Sequence, residues 1–260
     1  DLFKEVGSGF GFSLYADDGA LWKRGKNVRY VVKQLQRALG VVERWSALWG
    51  LRISTAKTKF VVFGRRRKLG PVALSLYGMP LERVQVYRFL GMWFDERLTW
   101  GTHIDKMVAK CSKIMNLMRC LAGSHWGAER DALLCIYRAM IHSVMDYGCQ
   151  AYGSAAVSSL RRLDIVQAAA LRMCCGAFRT TPIAALLVEM GEVPLHLRRL
   201  KLGLRYWARL KGRVTDCPSS GILADCGGRS SMKSGVFLVQ FLVHPYVPSG
   251  LHPHSTAPGF

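Results

Sequence analysis

The sequence has 260 residues, of which 50% are apolar, so it can bury the core of one large domain or two small ones. Lysine and arginine number 37 against 17 aspartates and glutamates, and the net charge of +20 indicates a polyanionic partner, nucleic acid or a membrane surface. No apolar run approaches the ~20 residues of a membrane-spanning helix, and no signal peptide is evident. The chain begins without methionine, and we expect a fragment of a longer protein.

Two short apolar segments near the start of the chain predict a tight β-hairpin. Phe10, Phe12 and Leu14 recur at every second position, so one face of a strand over residues 10–15 is apolar, and residues 20–22 begin a second strand. Asp17, Asp18 and Gly19 are therefore predicted at the turn. Two adjacent carboxylates on a rigid hairpin can bind Mg²⁺, which takes hard oxygen ligands. An ordinary solvated turn explains the same three residues, and both interpretations remain open at this point.

A long helix and another strand follow the hairpin. Apolar residues recur every three or four positions from Val28 to Trp49, which predicts an amphipathic helix that stops at Gly50. Residues 59–63 predict a strand, and Lys57 comes just before it. The order hairpin, helix, strand is typical of an α+β fold with the helix packed on one face of the sheet. Lys57 is either a solvated loop residue or a cation that faces phosphates near the hairpin.

The next part of the chain alternates basic and extended segments. A basic run is either a solvated turn or a loop that contacts phosphates. Further short strands are predicted at residues 72–76 and 84–86, and residues 87–95 predict a second hairpin. The basic run consists of Arg65, Arg66, Arg67 and Lys68.

From Trp100 to Lys211 the apolar periodicity predicts a series of helices. Several carry basic stripes, either solvated faces or a track for a nucleic-acid backbone. Residues 216–260 are rich in Gly, Ser and Pro, and we expect weak order there despite the apolar run 236–243. The predicted domains are 1–98, 99–215 and 216–260. The stripe of the first helix consists of Lys106, Lys110 and Lys113.

The eight cysteines lack the spacing of a zinc site. Most lie among apolar residues of predicted helices, where a free thiol acts as a small hydrophobe. This pattern favours a reduced intracellular compartment, nuclear or cytoplasmic. A loosely spaced alternative metal set would consist of Cys217, Cys226, His252 and His254.

Several sequence blocks, in their order along the chain, resemble one family. They are LYADDGALW (14–22), WGLRISTAKTKFVVF (49–63), YRFLGMWFDERLTWGTHI (87–104) and the helical segments 126–148 and 160–199. The chain resembles the reverse transcriptases of non-long-terminal-repeat (LINE-type) retrotransposons over roughly residues 1–211. The resemblance implies the C-terminal part of a right-hand polymerase palm followed by an all-α thumb-like region.

The resemblance also implies roles for particular residues. Asp17 and Asp18 would ligate Mg²⁺ in a two-metal site, and Tyr15 would lie near the nucleotide or primer end. Lys57 would neutralise or protonate the pyrophosphate, and the segment Phe89, Leu90 and Gly91 would shape the primer grip. The basic helices and Arg65, Arg66 and Arg67 would follow the nucleic-acid backbone. The implied partners are an RNA template, a DNA primer and deoxynucleoside triphosphates, with no membrane.

The chain departs from the family pattern in two respects. Ser54 stands where the family often has Asn. The family also has an earlier palm strand with another metal-binding Asp and a fingers region, both expected before residue 1. We therefore expect this chain alone to be inactive. Two alternatives are a catalytically dead remnant that acts as a basic nucleic-acid-binding module, and a basic protein of the membrane surface.

Overall fold

The computed structural model describes residues 6, 7, 9–64, 72–123, 127–212 and 235–245. The chain divides into two compact units, Asp1–Gln85 with Met232–Phe260, and Val86–Ser231. The first contains a β-sheet and one long helix, and the second contains a hairpin and a series of helices. The predicted α+β fold class is confirmed by this mixture.

The elements have the following bounds. The strands are β1 (Gly11–Tyr15), β2 (Asp18–Gly25), β3 (Leu51–Ile53), β4 (Lys59–Phe63), β5 (Ser75–Leu76), β6 (Met79–Pro80), β7 (Glu82–Arg83), β8 (Val86–Phe89), β9 (Met92–Asp95) and β10 (Gly235–Pro245). The helices are α1 (Val28–Leu48), α2 (Gly101–Leu121), α3 (Arg130–Ile136), a π-helix (Tyr137–His142), α4 (Ser143–Asp146), α5 (Cys149–Tyr152), α6 (Val157–Cys175), α7 (Ile183–Glu189) and α8 (Leu195–Gly212).

The sheet of the first unit has the strand order β1-β2-β10-β4-β7, and β3 pairs with β10. β10 is antiparallel to both β2 and β4, with Val239 opposite Leu21 on one side and opposite Phe60 on the other. These three side chains are buried in one apolar cluster. The central strand of the sheet therefore comes from the C-terminal part of the chain.

This position of β10 differs from the weak order expected for residues 216–260. The continuous apolar run 236–243, interrupted only by Gln240, is long enough for a buried strand, and its Gly-, Ser- and Pro-rich surroundings obscure that signal. Pairing with β2 and β4 satisfies the backbone groups on both of its edges. The rest of the segment, including Cys217, Cys226, His252 and His254, lies outside the described residues.

Helix α1 forms where the apolar periodicity predicts it. The side chain of Asn27 accepts a hydrogen bond from the backbone N–H of Tyr30 (3.2 Å) and caps the first turn. Val31, Leu35 and Leu39 are fully buried against the sheet. Burying aliphatic side chains of this size contributes about 1.5–3 kcal/mol each. One face of α1 thus holds the sheet, and its other face remains outside the core.

The β5–β6 hairpin is attached to α1 by polar side chains. The Gln36 amide donates to the carbonyl oxygen of Ser75 and accepts from the Ser75 N–H, both at 2.9 Å. The Glu43 carboxylate accepts from the Tyr77 N–H at 2.6 Å. The hydroxyl groups of Ser46 and Tyr77 are 2.7 Å apart. These bonds hold the segment after residue 72 beside the helix.

The second unit is built on α2, the π-helix and α6, which share one apolar core. The β8–β9 hairpin belongs to this unit, because Met92 and Phe94 pack against the helical core. The Phe94 and Trp100 rings lie 5.2 Å apart. The sequence instead predicts a boundary after residue 98, which assigns this hairpin to the sheet. None of the described helices is both long and apolar enough to cross a membrane.

A polar network is buried inside this helical core at the π-helix. The Tyr137 hydroxyl lies 2.6 Å from His142 Nε2 and accepts from the Gln167 amide at 3.1 Å. The Glu192 carboxylate lies 3.5 Å from His142 Nε2 and accepts from Arg138 Nε at 2.6 Å. Burial lowers the pKa of His142 and raises the pKa of Tyr137. Both groups are therefore uncharged at neutral pH.

The cysteines among the described residues are free thiols. Cys111, Cys149 and Cys174 are buried in the helical core. Burial raises the pKa of the Cys111 and Cys174 thiols to about 11, so both stay protonated and unreactive.

We predict that Gly40→Ala stabilises the first unit. Gly40 lies in the interior of α1, and a Cβ there would meet only the Arg44 guanidinium, at 3.9 Å. Alanine in a helix interior is favoured over glycine by about 0.8–1 kcal/mol. Urea denaturation should show this gain, whereas the control Gly11→Ala should destabilise because its Cβ would lie 2.0 Å from the Trp22 ring. A loss of stability in Gly40→Ala would contradict the prediction.

Acidification should destabilise the second unit. Burial lowers the pKa of both His103 and His142, so the unfolded chain binds protons there more tightly than the folded chain. The free energy of unfolding should therefore be highest above about pH 6.5 and fall as the pH drops below it. Urea denaturation at about pH 7.5 and about pH 5.5 measures the difference. His142→Gln should reduce this pH dependence, and His196→Gln, at an exposed position on α8, should leave it unchanged.

Candidate active site

The Tyr-Ala-Asp-Asp segment forms the end of the β1–β2 hairpin. Tyr15 pairs with Asp18, so Ala16 and Asp17 are the two turn residues. Ala16 has a positive φ of 53°, a left-handed conformation that costs an alanine of order 1 kcal/mol. The sequence predicts a turn at Asp17, Asp18 and Gly19, whereas Asp18 and Gly19 already belong to β2. Strand pairing extends to Tyr15 and Asp18, because a turn of two residues closes the hairpin and Gly19 is not part of that turn.

The hairpin presents its polar residues away from the helix. Phe12 pairs with Leu21, and both pack in the cluster that includes the buried face of α1. Side chains alternate across a strand, so the Tyr15–Asp18 pair lies on the opposite face of the sheet from the Phe12–Leu21 pair. Asp17 is exposed at the turn, and Asp18 is partly buried. Two adjacent carboxylates therefore stand at one end of a rigid strand pair.

Aromatic contacts fix the other end of the hairpin. Gly11 pairs with Trp22, and the indole ring covers the glycine so closely that a Cβ at Gly11 would lie 2.0 Å from it. The Lys23 ammonium lies 4.0 Å from the centre of the Phe10 ring and donates to the Gly9 carbonyl oxygen at 3.2 Å. These contacts orient the strands, and the strands orient the carboxylates.

Lys57 is exposed in the turn between β3 and β4. The Thr58 hydroxyl donates to the Ser54 carbonyl oxygen at 2.6 Å, and the Thr58 N–H donates to the same oxygen at 3.0 Å. Thr58 is buried, so the turn is anchored on one side while Lys57 remains accessible to solvent. The next basic residue, Lys59, is instead paired with Glu82 at 2.8 Å.

The carboxylates at the end of the hairpin supply only part of the ligand set that a hard divalent cation needs. Among the described residues no group of three or more His, Cys, Asp or Glu side chains lies close enough to hold a metal ion. Asp17 and Asp18 are adjacent carboxylates, and Mg²⁺ is usually held by one or two carboxylates together with water and phosphate oxygens. The pair therefore fits a Mg²⁺ site that obtains its other ligands from the substrate or another segment.

In the Phe89, Leu90 and Gly91 segment of the second unit, Phe89 is the last residue of β8, and Leu90 and Gly91 form the turn of the β8–β9 hairpin. Leu90 and Gly91 both have positive φ values, 45° and 81°. The Tyr147 hydroxyl donates a hydrogen bond to the Leu90 carbonyl oxygen. A Cβ at Gly91 would lie 3.3 Å from the Tyr147 ring. Tyr147 thus holds a strained turn in one conformation.

A basic cavity of about 440 Å³ lies beside this turn. The predicted residues Gly91, Lys106 and Lys110 line it, and the Lys106 ammonium lies 5.6 Å from the centre of the Trp93 ring. Lys113, on the same helix, is exposed and does not line the cavity. Other residues that line it are Arg88, Trp93, His103, Met107, Ser143, Val144 and Tyr147.

Sequence reasoning misses several of these residues. Arg88 and Trp93 lie within the quoted block 87–104, where alternation along the two strands is a signal that could have found them. His103 accepts a hydrogen bond from the Trp93 N–H at 3.4 Å, and its Nε2 has no hydrogen-bond partner among the residues that the structure describes. Burial lowers the pKa of His103, so its imidazole is neutral. Arg65, Arg66 and Arg67 lie outside the described residues.

The chain is 31% identical over 165 residues, 64% of its length, to an RNA-directed DNA polymerase from the mobile element jockey of Drosophila melanogaster. The jockey polymerase of Drosophila funebris is 26% identical over 165 residues. A Pol polyprotein from a type-1 retrotransposable element R1 of Nasonia vitripennis is 26% identical over 223 residues, 80% of this chain.

The chain is thus homologous to RNA-directed DNA polymerases of non-LTR, LINE-type retrotransposons, and the resemblance of its sequence blocks is confirmed. The matches span 18% of the Drosophila melanogaster jockey protein and 52% of the Nasonia protein. No protein-family model matches the chain, and no solved structure matches it significantly.

We predict that Tyr147→Phe destabilises the second unit by about 1 kcal/mol, the usual net contribution of one hydrogen bond. The substitution removes the bond to the Leu90 carbonyl oxygen and keeps the ring that packs on Gly91. Urea denaturation measures the change. Tyr206→Phe, at an exposed position on α8, is the matched control and should have no effect. Equal stability of wild type and Tyr147→Phe would show that the bond does not hold the turn.

Proposed function

We propose that this chain is the catalytic-hairpin segment of an RNA-directed DNA polymerase that adds deoxynucleotides to a primer 3′ end. The observation that carries the proposal is the Tyr15–Asp18 hairpin, with two carboxylates at its end, in a homologue of such polymerases. The first unit would be the C-terminal part of the palm, and the helical unit would be thumb-like. The homology supports the substrates: an RNA template, a DNA primer and deoxynucleoside triphosphates.

Asp17 and Asp18 are the proposed ligands of Mg²⁺. In two-metal polymerases the bound ions activate the primer 3′-hydroxyl and stabilise the leaving pyrophosphate. The exposed Asp17 would supply a ligand oxygen directly. The partly buried Asp18 would support it by adding negative electrostatic potential at the start of β2, next to the turn. The rigid strand pairing keeps these carboxylates in place before a ligand arrives.

Tyr15 and Lys57 are proposed to contact the nucleotide. Tyr15 is 68% exposed next to the carboxylates, so its ring is available to lie against the nucleotide or primer end. Lys57, exposed at an anchored turn of the same unit, would neutralise or protonate the pyrophosphate as it leaves. The exposure of both side chains and the positive charge of Lys57 support these proposed roles.

The helical unit is proposed to hold the primer. Arg88, Lys106 and Lys110 bring three cations to one cavity beside the Phe89, Leu90 and Gly91 turn. Cations in this arrangement bind phosphates without reading base sequence. Trp93 adds an aromatic surface in the same cavity. Lys113 and the run Arg65, Arg66 and Arg67 would extend the phosphate contacts.

The proposed metal site requires a further carboxylate from outside this chain. Asp17 and Asp18 are a pair, and a two-metal site usually needs ligands from more than one strand. We therefore propose that residues 1–260 alone do not extend a primer, and that the longer polymerase containing them does. Steady incorporation of nucleotides by the purified chain on a primed RNA template would overturn this part of the proposal.

The test of the metal assignment is Asp17→Asn in a polymerase that contains this segment. Primer extension on an RNA template should fall by about 100-fold or more, because an amide is a poor ligand for Mg²⁺. The control Asp131→Asn makes the same carboxylate-to-amide substitution at an exposed position on α3 and should keep activity near wild type. Activity near wild type in Asp17→Asn would refute the assignment. Salt-sensitive RNA binding without magnesium-dependent synthesis by the unmodified polymerase would instead favour a catalytically dead binding module.

A further inference from the structure

Helix α1 carries a row of cations on the face that does not pack against the sheet. Its members recur at four- and seven-residue steps, and at about 100° per residue they lie on the side opposite Val31 and Leu35. No ion pair joins any of them to a carboxylate within the described ranges of the chain. We name this row the outer basic row; it consists of Arg29, Lys33, Arg37 and Arg44.

The charge of the outer basic row is not neutralised within its own helix. Glu43 is the single acidic residue of α1. Its carboxylate accepts the hydrogen bond from the Tyr77 N–H at 2.6 Å and so attaches the β5–β6 hairpin to α1. Unpaired like charges at i, i+4 spacing repel each other and weaken a helix by a few tenths of a kcal/mol per pair. A polyanion bound along the row would remove this repulsion.

Part of the outer basic row borders a groove of about 550 Å³. Arg29, Lys33 and Arg37 provide its charges, Val32 contributes apolar surface, and Ala73 lies on its other side. The Gln36 side chain lines the groove and pairs with both backbone groups of Ser75 at 2.9 Å. The wall of the groove is thus fixed to the helix before any ligand binds.

An exposed aromatic ring stands among these cations. Tyr30 is 57% exposed on the same side of α1, one residue after Arg29 and three before Lys33. Cations that follow a backbone, interleaved with aromatic rings on which bases stack, are the usual surface for single-stranded nucleic acid. Residues four apart on a helix rise by about 6 Å, a regular spacing that suits a polymer of regularly spaced charges.

We propose that the α1 groove binds the backbone of single-stranded RNA. The inference rests on the proposed function, which supplies RNA as the polymer to be copied. The groove is a site separate from the carboxylate hairpin, because the outer basic row and the buried face of α1 lie on opposite sides of the helix. Arg29, Lys33 and Arg37 contact successive phosphates, and Tyr30 stacks on a base.

The test compares two double variants of the complete 260-residue chain. Lys33→Gln with Arg37→Gln removes two charges from the groove, and Arg52→Gln with Arg83→Gln removes two charges from exposed positions on β3 and β7. Binding of a labelled single-stranded RNA is measured by fluorescence anisotropy over a series of salt concentrations. Each lost phosphate contact lowers the slope of log K against log salt by about 0.7, so the groove variant should lose about 1.4 in slope and about tenfold in affinity.

The control variant should keep most of the wild-type slope and affinity. Equal losses in the two double variants, or no loss in the groove variant, would overturn the inference, because net charge rather than the groove would then set the affinity. A duplex DNA of the same sequence is the second probe. Tighter binding to the duplex than to the single strand, with the same dependence on Lys33 and Arg37, would also overturn it.

Gln36→Leu tests the groove without changing its charge. The substitution removes both bonds to Ser75, so the wall is no longer fixed. We expect about threefold weaker RNA binding, with a salt slope close to wild type because the phosphate contacts remain. Unchanged affinity in a Gln36→Leu chain with wild-type helicity by circular dichroism would count against a preformed groove.

The outcomes separate this inference from the proposed function. If primer extension depends on Asp17 but the RNA affinity does not depend on Lys33 and Arg37, the groove assignment alone fails. If RNA binding depends on the groove but the longer polymerase shows no Asp17-dependent synthesis, the polymerase proposal fails and the groove stands.

Discussion

The packing of α1 on the sheet is the contact on which the rest of the first unit depends. Val31, Leu35 and Leu39 are buried against side chains of β2, β4 and β10, which are far apart in sequence. Because these aliphatic side chains fix one face of the sheet, the alternation of the strands places Tyr15 and Asp18 on the other face. The same packing directs the outer basic row to solvent. Core packing and the two charged surfaces are therefore consequences of one periodic pattern.

The charge distribution has an energetic cost that a nucleic-acid partner would offset. A net charge of +20 makes the positive charges of the folded chain repel one another. Several of the ion pairs in the structure connect parts of the fold. Arg198 forms two hydrogen bonds with Asp146, and Lys59 pairs with Glu82. Among the described residues, the cations of the 440 Å³ cavity and of the outer basic row form no ion pair with a carboxylate. Carboxylates are thus used mainly to fix the fold, and cations are concentrated at its surfaces.

The hydrophobic periodicity of the sequence predicts the elements of this chain that form from residues close together in sequence. The β1–β2 hairpin, α1 and the helices of the second unit follow from two- and 3.6-residue periods, and the family follows from the order of the blocks. Within the hairpin, the turn at Ala16 and Asp17 is missed because it depends on the register of the two strands. Features that depend on distant residues are not predicted either, such as the cavity that joins Arg88 and Trp93 to Tyr147 through tertiary packing. The position of β10 depends on the empty edges of β2 and β4 rather than on its own composition.

The central position of β10 has a consequence for biosynthesis. The ribosome synthesises β2 and β4 long before Gly235–Pro245. Until β10 is synthesised, the facing edges of β2 and β4 lack their native partner. Contacts between such distant segments raise the contact order and slow folding, whereas α-helices form from local contacts, and those of the second unit can form as they emerge. The second unit is therefore expected to mature first. During that interval the exposed edges of β2 and β4 are templates for any other strand, including one from a different chain.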